Sequence, residues 1–232
     1  MVTLTGHVGS SGFDLAPFDP VPSAWPVYTK TAETAGLAVT LVDAREFIGL
    51  PTGDTSRDTE LTAFITAATR AIESYCQMSL LDTTWQAAMP DFGSRIAMNK
   101  RPYTATTLIE YVQIVTGTIT TVAATTYYAV SIGQQMGMVF LGDTLSWPDD
   151  KAVRHDAVRV TFTTGYGVDD TTIPADIKHA ILMTVANMDA NRGDCGESGG
   201  SVYAMKNSTP SIVPSAAQPL LAPYVYRHLA VA

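Results

Sequence analysis

The sequence DTELTAFITAATRAIESYCQM, residues 58–78, contains the clearest periodic pattern in the chain. Its apolar side chains recur at spacings of three and four residues, which is the repeat of one face of an α-helix. They are Leu61, Phe64, Ile65, Ala68, Ile72, Tyr75 and Cys76. Asp58 and Glu60 suit the positive end of a helix dipole. The pattern therefore predicts a long amphipathic helix over residues 58–78.

Two further helices are predicted on either side of this one. Thr40 with Asp43 is a plausible N-cap, and Gly49 ends a short helix over residues 40–49. Pro174 suits the first turn of a third helix over residues 174–192. The periodic apolar residues of the two longer helices should face one another in a core: Phe64, Ile65, Ala68, Ile72, Ile177, Ile181 and Val185.

The middle of the chain, residues 83–164, is predicted to be β-structure. Alternating, β-branched and aromatic segments are separated by glycines and Pro148. The predicted strands are 83–89, 107–115, 119–122, 126–132, 138–141 and 157–164. The fold class predicted from the sequence is therefore α+β: a small antiparallel helix bundle, with a β-strand insertion between its second and third main helices, and extended arms at both ends.

Both ends of the chain carry apolar residues outside this core, which spans residues 37–192. Residues 1–36 contain four prolines that break a helix, but Phe13, Leu15, Phe18 and Trp25 are too apolar for a solvated linker. We expect an extended arm lying on another surface; a loop packed on its own domain is the alternative. Residues 193–219 have the composition of a flexible linker, and an apolar C-terminal tail follows, so that residues 193–232 form a linker with an anchoring tail.

The charge and cysteine content restrict the class of protein. Fourteen basic and 22 acidic residues give a net charge of −8, which argues against gripping nucleic acid by overall charge but is compatible with a conduit for DNA. The two cysteines, Cys76 and Cys195, are expected to be free thiols, with one bridge as the alternative. No apolar run approaches a membrane span, and residues 1–11 lack the features of a signal peptide.

The sequence contains no catalytic, cofactor-binding or metal-binding motif in a context that fits its chemistry. Residues 195–200, CGESGG, match a nucleophile elbow around Ser198, but an elbow needs a strand before it and a helix after it. Here a predicted helix precedes and a polar linker follows. Metal-ligand spacings of His and Cys are absent from the sequence. We therefore expect that the protein is not an enzyme and that it binds neither a cofactor nor a metal ion. A hydrolase acting through Ser198 is a weak alternative.

The order of elements resembles a known family. The resemblance rests on three motifs: AATRAIESY at 67–75, the VRVTFTTGYG strand at 158–167, and IPADIKHAI at 173–181. The segment 220–224, LLAPY, also resembles the C-terminal end of these proteins. The chain resembles the head-to-tail connector, or adaptor, proteins of tailed phages and gene transfer agents. The long N-terminal arm and the long β insertion depart from shorter members.

This resemblance implies a structural virion protein without catalytic activity. It would assemble in the bacterial cytoplasm and lie in the neck of a virion or phage-like particle. There it would form a ring of about twelve copies between the portal and the tail. It would contact the portal protein and the next tail or stopper protein, and pass double-stranded DNA without sequence-specific binding or contact with a membrane. A stopper-type ring protein and a monomeric binding module are the alternatives.

The portal contact is expected in the C-terminal tail. Its apolar, tyrosine and arginine residues have the composition of an interface hot spot on a polar tether. The expected portal-binding residues are Leu220, Leu221, Pro223, Tyr224, Tyr226 and Arg227. The alternative is that this tail packs on the chain's own helices.

Overall fold

The computed structural model describes residues 26–51, 53–132, 136–192 and 212–225. The helices are α1 (Leu41–Phe47), α2 (Asp58–Cys76), α3 (Ala175–Ala190) and α4 (Gln218–Leu221), with a 3-10 turn at Asp170–Thr172. The strands are β1 (Val27–Glu33), β2 (Thr83–Met89), β3 (Arg95–Met98), β4 (Tyr103–Val112), β5 (Ile119–Thr121), β6 (Tyr127–Ile132), β7 (Met136–Leu141) and β8 (Val158–Thr164).

The strands form two antiparallel sheets. The larger sheet has the order β1-β2-β8-β4-β5, and the smaller has the order β3-β7-β6. Strand β8 lies at the centre of the larger sheet, and every second side chain along it is buried: Val158, Val160, Phe162 and Thr164. The first three share one apolar core with Ile96, Met98 and Val139 of the smaller sheet. The two sheets therefore pack face to face through the alternating residues of their strands.

The predicted fold class is wrong in its main architecture. The described residues form two antiparallel β-sheets of eight strands together with only a few helices, and not a helix bundle carrying a strand insertion. The β region has its own apolar core, separate from the helical one. It also recruits β1, which the sequence places in the N-terminal arm. β1 pairs along β2 as an edge strand whose side chains are almost all exposed, so it carries no alternating pattern.

The helical core agrees with the periodicity of the sequence. Ile65, Ala68 and Ile72 of α2 lie in one buried cluster with Ile177, Ile181 and Val185 of α3, and Phe64 packs on its border. This confirms the predicted contact between the two helices. Thr40 caps α1 by accepting a hydrogen bond from the backbone N–H of Asp43 at 3.0 Å. Capping and spacing were therefore sufficient to place these helices.

The helical core meets the larger sheet at the end where β2 begins and β8 ends. Leu80 and Leu81, which precede β2, lie in the helical core, and so does Ile173, which follows β8. Backbone bonds tie the connections together: the N–H of Tyr166 donates to the carbonyl of Leu80 at 3.0 Å, and that of Gly165 donates to Pro102 at 2.9 Å. We call this junction the seam.

Gly165 is required at the seam, and its replacement gives a testable prediction. Its φ is +132°, and an added Cβ would lie 2.6 Å from the backbone carbonyl of Leu81. Gly165→Ala should therefore lower the free energy of unfolding by about 1–3 kcal/mol. Gly117→Ala is the matched control, because Gly117 also has a positive φ but faces open space. Denaturant unfolding of both variants measures the difference; equal losses would contradict the steric explanation.

Candidate functional site

The C-terminal segment that the structure describes packs on the helical core. Val213, Ala217 and Leu221 are buried in the same cluster as α2 and α3. Residues 212–219, which the sequence assigns to the flexible linker, therefore contribute to the folded unit. This placement agrees with the alternative in which the beginning of the C-terminal tail packs on the chain's own helices.

The six expected portal-binding residues fall into three groups. Leu221 is fully buried in the helical core, so it supports the fold. Leu220 and Tyr224 are half-buried, and Pro223 is exposed. Tyr226 and Arg227 lie outside the described residues. The structure thus brings four of the six onto one short segment beside the core, and leaves only part of that segment accessible to a partner.

Arg101 fastens this segment to the rest of the protein. Its side chain is only 5% exposed. Its Nη2 atom donates to the carbonyl oxygen of Cys76 at 2.7 Å and to that of Tyr224 at 3.2 Å. One guanidinium therefore links the end of α2 with the last described residues of the chain. No periodicity or motif in the sequence marks Arg101 as buried.

A carboxylate lies at the same junction. Oε1 of Glu73 accepts a hydrogen bond from the backbone N–H of Leu80 at 2.8 Å, where the chain turns from α2 into β2. Burial raises the pKa of Glu73 above its ordinary value of 4.5, and the bond from Leu80 opposes that rise. The folded protein therefore holds a proton on Glu73 more strongly than the unfolded chain does.

This difference predicts a dependence of stability on pH. Because the folded pKa of Glu73 is raised, its contribution favours folding at low pH and is lost as the pH rises from 4.5 through the folded pKa. Glu73→Gln keeps an acceptor for Leu80 without the buried charge. Its melting temperature should gain on the wild type as the pH rises from 4 to 8. Glu73→Ala should be destabilised throughout, because it lacks the acceptor, and parallel wild-type and Gln profiles would contradict the assignment.

Ion pairs within the chain hold the ends of the helices. Nε of Arg45 donates to Oδ1 of Asp58 at 2.8 Å, which joins α1 to α2. Arg57 contacts both Glu60 and Asp189, which joins α2 to α3. Both arginines therefore have acidic partners in the same chain.

Three exposed apolar surfaces stand out among the described residues. The first is the end of the β4–β5 hairpin with its neighbouring loop, where Ile114, Val115, Ile119 and Val153 are exposed. The second is the outer face of the smaller sheet. The third is an open groove between α1 and α3, where the ring of Phe47 packs edge-on against His179 at 5.5 Å. Such surfaces are typical of proteins that assemble with others.

Two kinds of functional feature are absent from the described residues. They contain no cluster of three His, Cys, Asp or Glu side chains that could hold a metal ion. In the same ranges, no helix combines the length and apolarity needed to cross a membrane. Cys76 is a buried free thiol, and burial raises its pKa to about 11. Ser198 and Cys195 lie outside the described residues.

Comparison with known families identifies the protein at the level of its family. The family model of head completion proteins matches residues 38–228, which include both cores and the C-terminal segment. The chain belongs to the head completion protein family. The resemblance to head-to-tail connector proteins, drawn from residues 67–75, 158–167 and 173–181, is thereby confirmed. Membership of this structural family favours a non-enzymatic role.

Solved structures share the fold of this head completion protein. A chain from the neck of an empty gene transfer agent (GTA) particle, computed with C6 symmetry, has a TM-score of 0.65. Chains from the native GTA virion and from the native GTA neck computed with C12 symmetry have TM-scores of 0.61. Each is 19% identical, and each alignment covers 88% of this chain and 98% of the other. No curated protein sequence matches the chain significantly.

Proposed function

We propose that this protein forms a ring in the neck of a phage or phage-like particle, between portal and tail. The observation that carries the proposal is the family match over residues 38–228. The likeness to chains from GTA necks, one of them computed with C12 symmetry, favours a closed ring of about twelve copies. Such a ring extends the DNA channel, joins the head to the next tail component and needs no catalytic residue.

The charge of the chain supports a passive channel. A net charge of −8 gives no general attraction to the phosphate backbone. Arg45 and Arg57 are engaged with acidic groups of the same chain. DNA would therefore slide past the ring without being held by the overall charge or by these two arginines.

The contact between subunits is proposed to combine α2 with the β region. The outer side of α2 carries small or short side chains at helical spacing, including Ala63, Thr66, Ala67 and Ser74, and all four are exposed. Small side chains allow the backbone of a neighbouring subunit to approach closely. The apolar end of the β4–β5 hairpin would extend this contact toward the next component of the neck.

The portal contact is proposed to lie at the end of the C-terminal tail. Because Leu221 is buried, the anchor consists of the accessible parts of Leu220, Pro223 and Tyr224, followed by Tyr226 and Arg227. Arg101 holds the carbonyl of Tyr224 and so fixes where the tail leaves the core. A tail starting from a fixed point loses less conformational freedom on binding than a tail on a long linker.

Two truncations separate the anchoring role from the structural one. Removal of residues 226–232 should change the melting temperature by less than about 2 °C, since Leu221 and Tyr224 remain, and should abolish attachment to portal-bearing heads. Removal of residues 220–232 should also lower the free energy of unfolding by about 2–5 kcal/mol, because it deletes the buried Leu221. Normal head attachment by the shorter truncation would contradict the portal contact.

Deletion of the gene tests the proposed function as a whole. Particles made without this protein should accumulate as DNA-filled heads that lack tails, and expression of the chain in trans should restore tailed particles. Electron microscopy of purified particles measures both. Tailed, infectious or transducing particles at normal yield in its absence would contradict the proposal.

A further inference from the structure

The outer face of the smaller sheet is apolar although its other face is already packed on the larger sheet. Tyr128, Val130 and Ile132 of β6 are 49%, 36% and 41% exposed. They lie opposite Phe140, Met138 and Met136 of β7 in the strand register, and the rings of Tyr128 and Phe140 stack at 5.5 Å. A sheet with one solvated face normally carries polar residues there. A face of this composition indicates a surface that is covered in the assembled protein.

The dimensions of this face favour a short extended segment as its occupant. Three strands, each about 4.8 Å wide, make a face about 14 Å across, and a six-residue strand is about 20 Å long, so the face measures at most roughly 300 Å². A stable contact between globular partners needs about 800 Å² from each. In addition, β6 is the outermost strand of its sheet among the described residues, so its backbone edge is open to pairing with another strand.

We infer that this face binds residues 1–25 of an adjacent copy of the same chain. Residues 10–16, SSGFDLA, contain no proline and can therefore pair with the edge of β6. Phe13 and Leu15 would then point to the same side, toward the apolar face. Residues 1–25 contain no Lys or Arg, so the arm brings no basic side chain that would repel Arg95 of β3, the charged residue on this face.

The position at which the arm begins favours binding to an adjacent copy over binding to the arm's own subunit. The hydroxyl of Tyr28, close to the start of β1, accepts from the N–H of Asn99 at 3.0 Å and contacts the carbonyl of Ala97, so the chain enters beside β3. An arm from its own β1 would cross all three strands before reaching the edge of β6. Twenty-five extended residues reach up to about 80 Å, which exceeds the roughly 45 Å diameter of a chain of this length. The inference rests on the proposed ring.

Photocross-linking in assembled particles tests this inference. The full chain carrying Val130→benzoylphenylalanine should give, on irradiation, a ladder of covalent multimers. Mass spectrometry should place the cross-links in the tryptic peptide 1–30, which ends at Lys30, the first basic cleavage site. The same photoreactive residue at exposed Thr121 of β5 is the control, and should give no cross-link to that peptide.

The other outcomes would overturn the inference. Cross-links to peptide 1–30 without a rise in mass would place the arm on its own subunit, and cross-links to a different neck protein would assign the face to that partner. A second readout is the yield of cross-linked multimers. It should fall at least tenfold when the photoreactive chain also carries both Phe13→Asp and Leu15→Asp. If the wild-type chain is missing from the neck, the proposed function itself is wrong. If the wild-type chain is present in the neck but gives no cross-links to peptide 1–30, only this inference is wrong.

Discussion

Ile72→Asp should prevent the protein from folding. Ile72 is fully buried in the apolar cluster that joins α2 to α3, so a carboxylate at this position would lose its hydration. An unpaired buried charge, together with the lost packing, should cost more than about 4 kcal/mol, against a total stability of about 5–15 kcal/mol for a typical domain. The expected result is insoluble protein, or a chain that lacks a cooperative thermal transition.

Two variants control for the nature and the place of this change. Val153→Asp introduces the same charge at a side chain that is 91% exposed, and should remain within about 0.5 kcal/mol of the wild type. Ile72→Val removes one methylene from the core and should cost about 0.5–1.5 kcal/mol. A cooperative transition at the wild-type temperature for Ile72→Asp would show that α2 and α3 do not share a core.

Arg101→Ala should produce the second largest loss of stability. It removes the donor to the carbonyl oxygens of Cys76 and Tyr224 and leaves a void at the seam. Each buried acceptor left without a donor costs about 1–3 kcal/mol, so we expect a total of about 3 kcal/mol and a melting temperature lower by roughly 6–12 °C. The C-terminal segment should also become more sensitive to protease, because one of its attachments to the core is lost.

The identity of the side chain at position 101 distinguishes this account from a loss of charge alone. Arg101→Lys keeps the charge but lacks the planar fork, and should recover only part of the stability. Arg95→Ala removes an exposed arginine of β3 and should change stability by less than about 0.5 kcal/mol. Equal melting temperatures for Arg101→Ala and the wild type would show that Arg101 does not fasten the C-terminal segment.

The sequence predicted those elements whose own residues carry a complete pattern. α2 and α3 have apolar residues at helical spacing, and β8 alternates buried with half-buried residues, so both follow from composition and order. The motifs around these elements were also sufficient to indicate the family. Periodicity works in these cases because one face of each element is buried by the protein itself.

The overall architecture could not be predicted, because it depends on pairings that leave little trace in the sequence. β1 pairs by its backbone with an adjacent strand while most of its side chains face solvent, so VYTKTAE appeared to belong to an arm. β3 has only four residues, too few for its buried Ile96 and Met98 to form a recognisable alternating pattern. Without these two edge strands, the β region appeared to be an insertion in a bundle, whereas it forms two sheets around a core of its own.

In the candidate site, too, the sequence predicted some features and could not predict others. The composition of residues 220–227 indicated a binding segment, but composition cannot distinguish a side chain that binds a partner from one that packs on its own core. Leu221 lies in the core and Pro223 is exposed, although both are typical of such segments. Arg101 was missed because its partners are backbone carbonyls far apart in the sequence, at Cys76 and Tyr224.

Cryo-electron microscopy of the particle neck shows directly whether this chain forms a ring there. The proposed function predicts a closed ring of about twelve copies of this chain between portal and tail, with the β4–β5 hairpins on one side of the ring and the C-terminal tails on the portal. The two-sheet fold should be recognisable in each copy. Density for a single copy, for a two-fold dimer, or for no copy in the neck would contradict it.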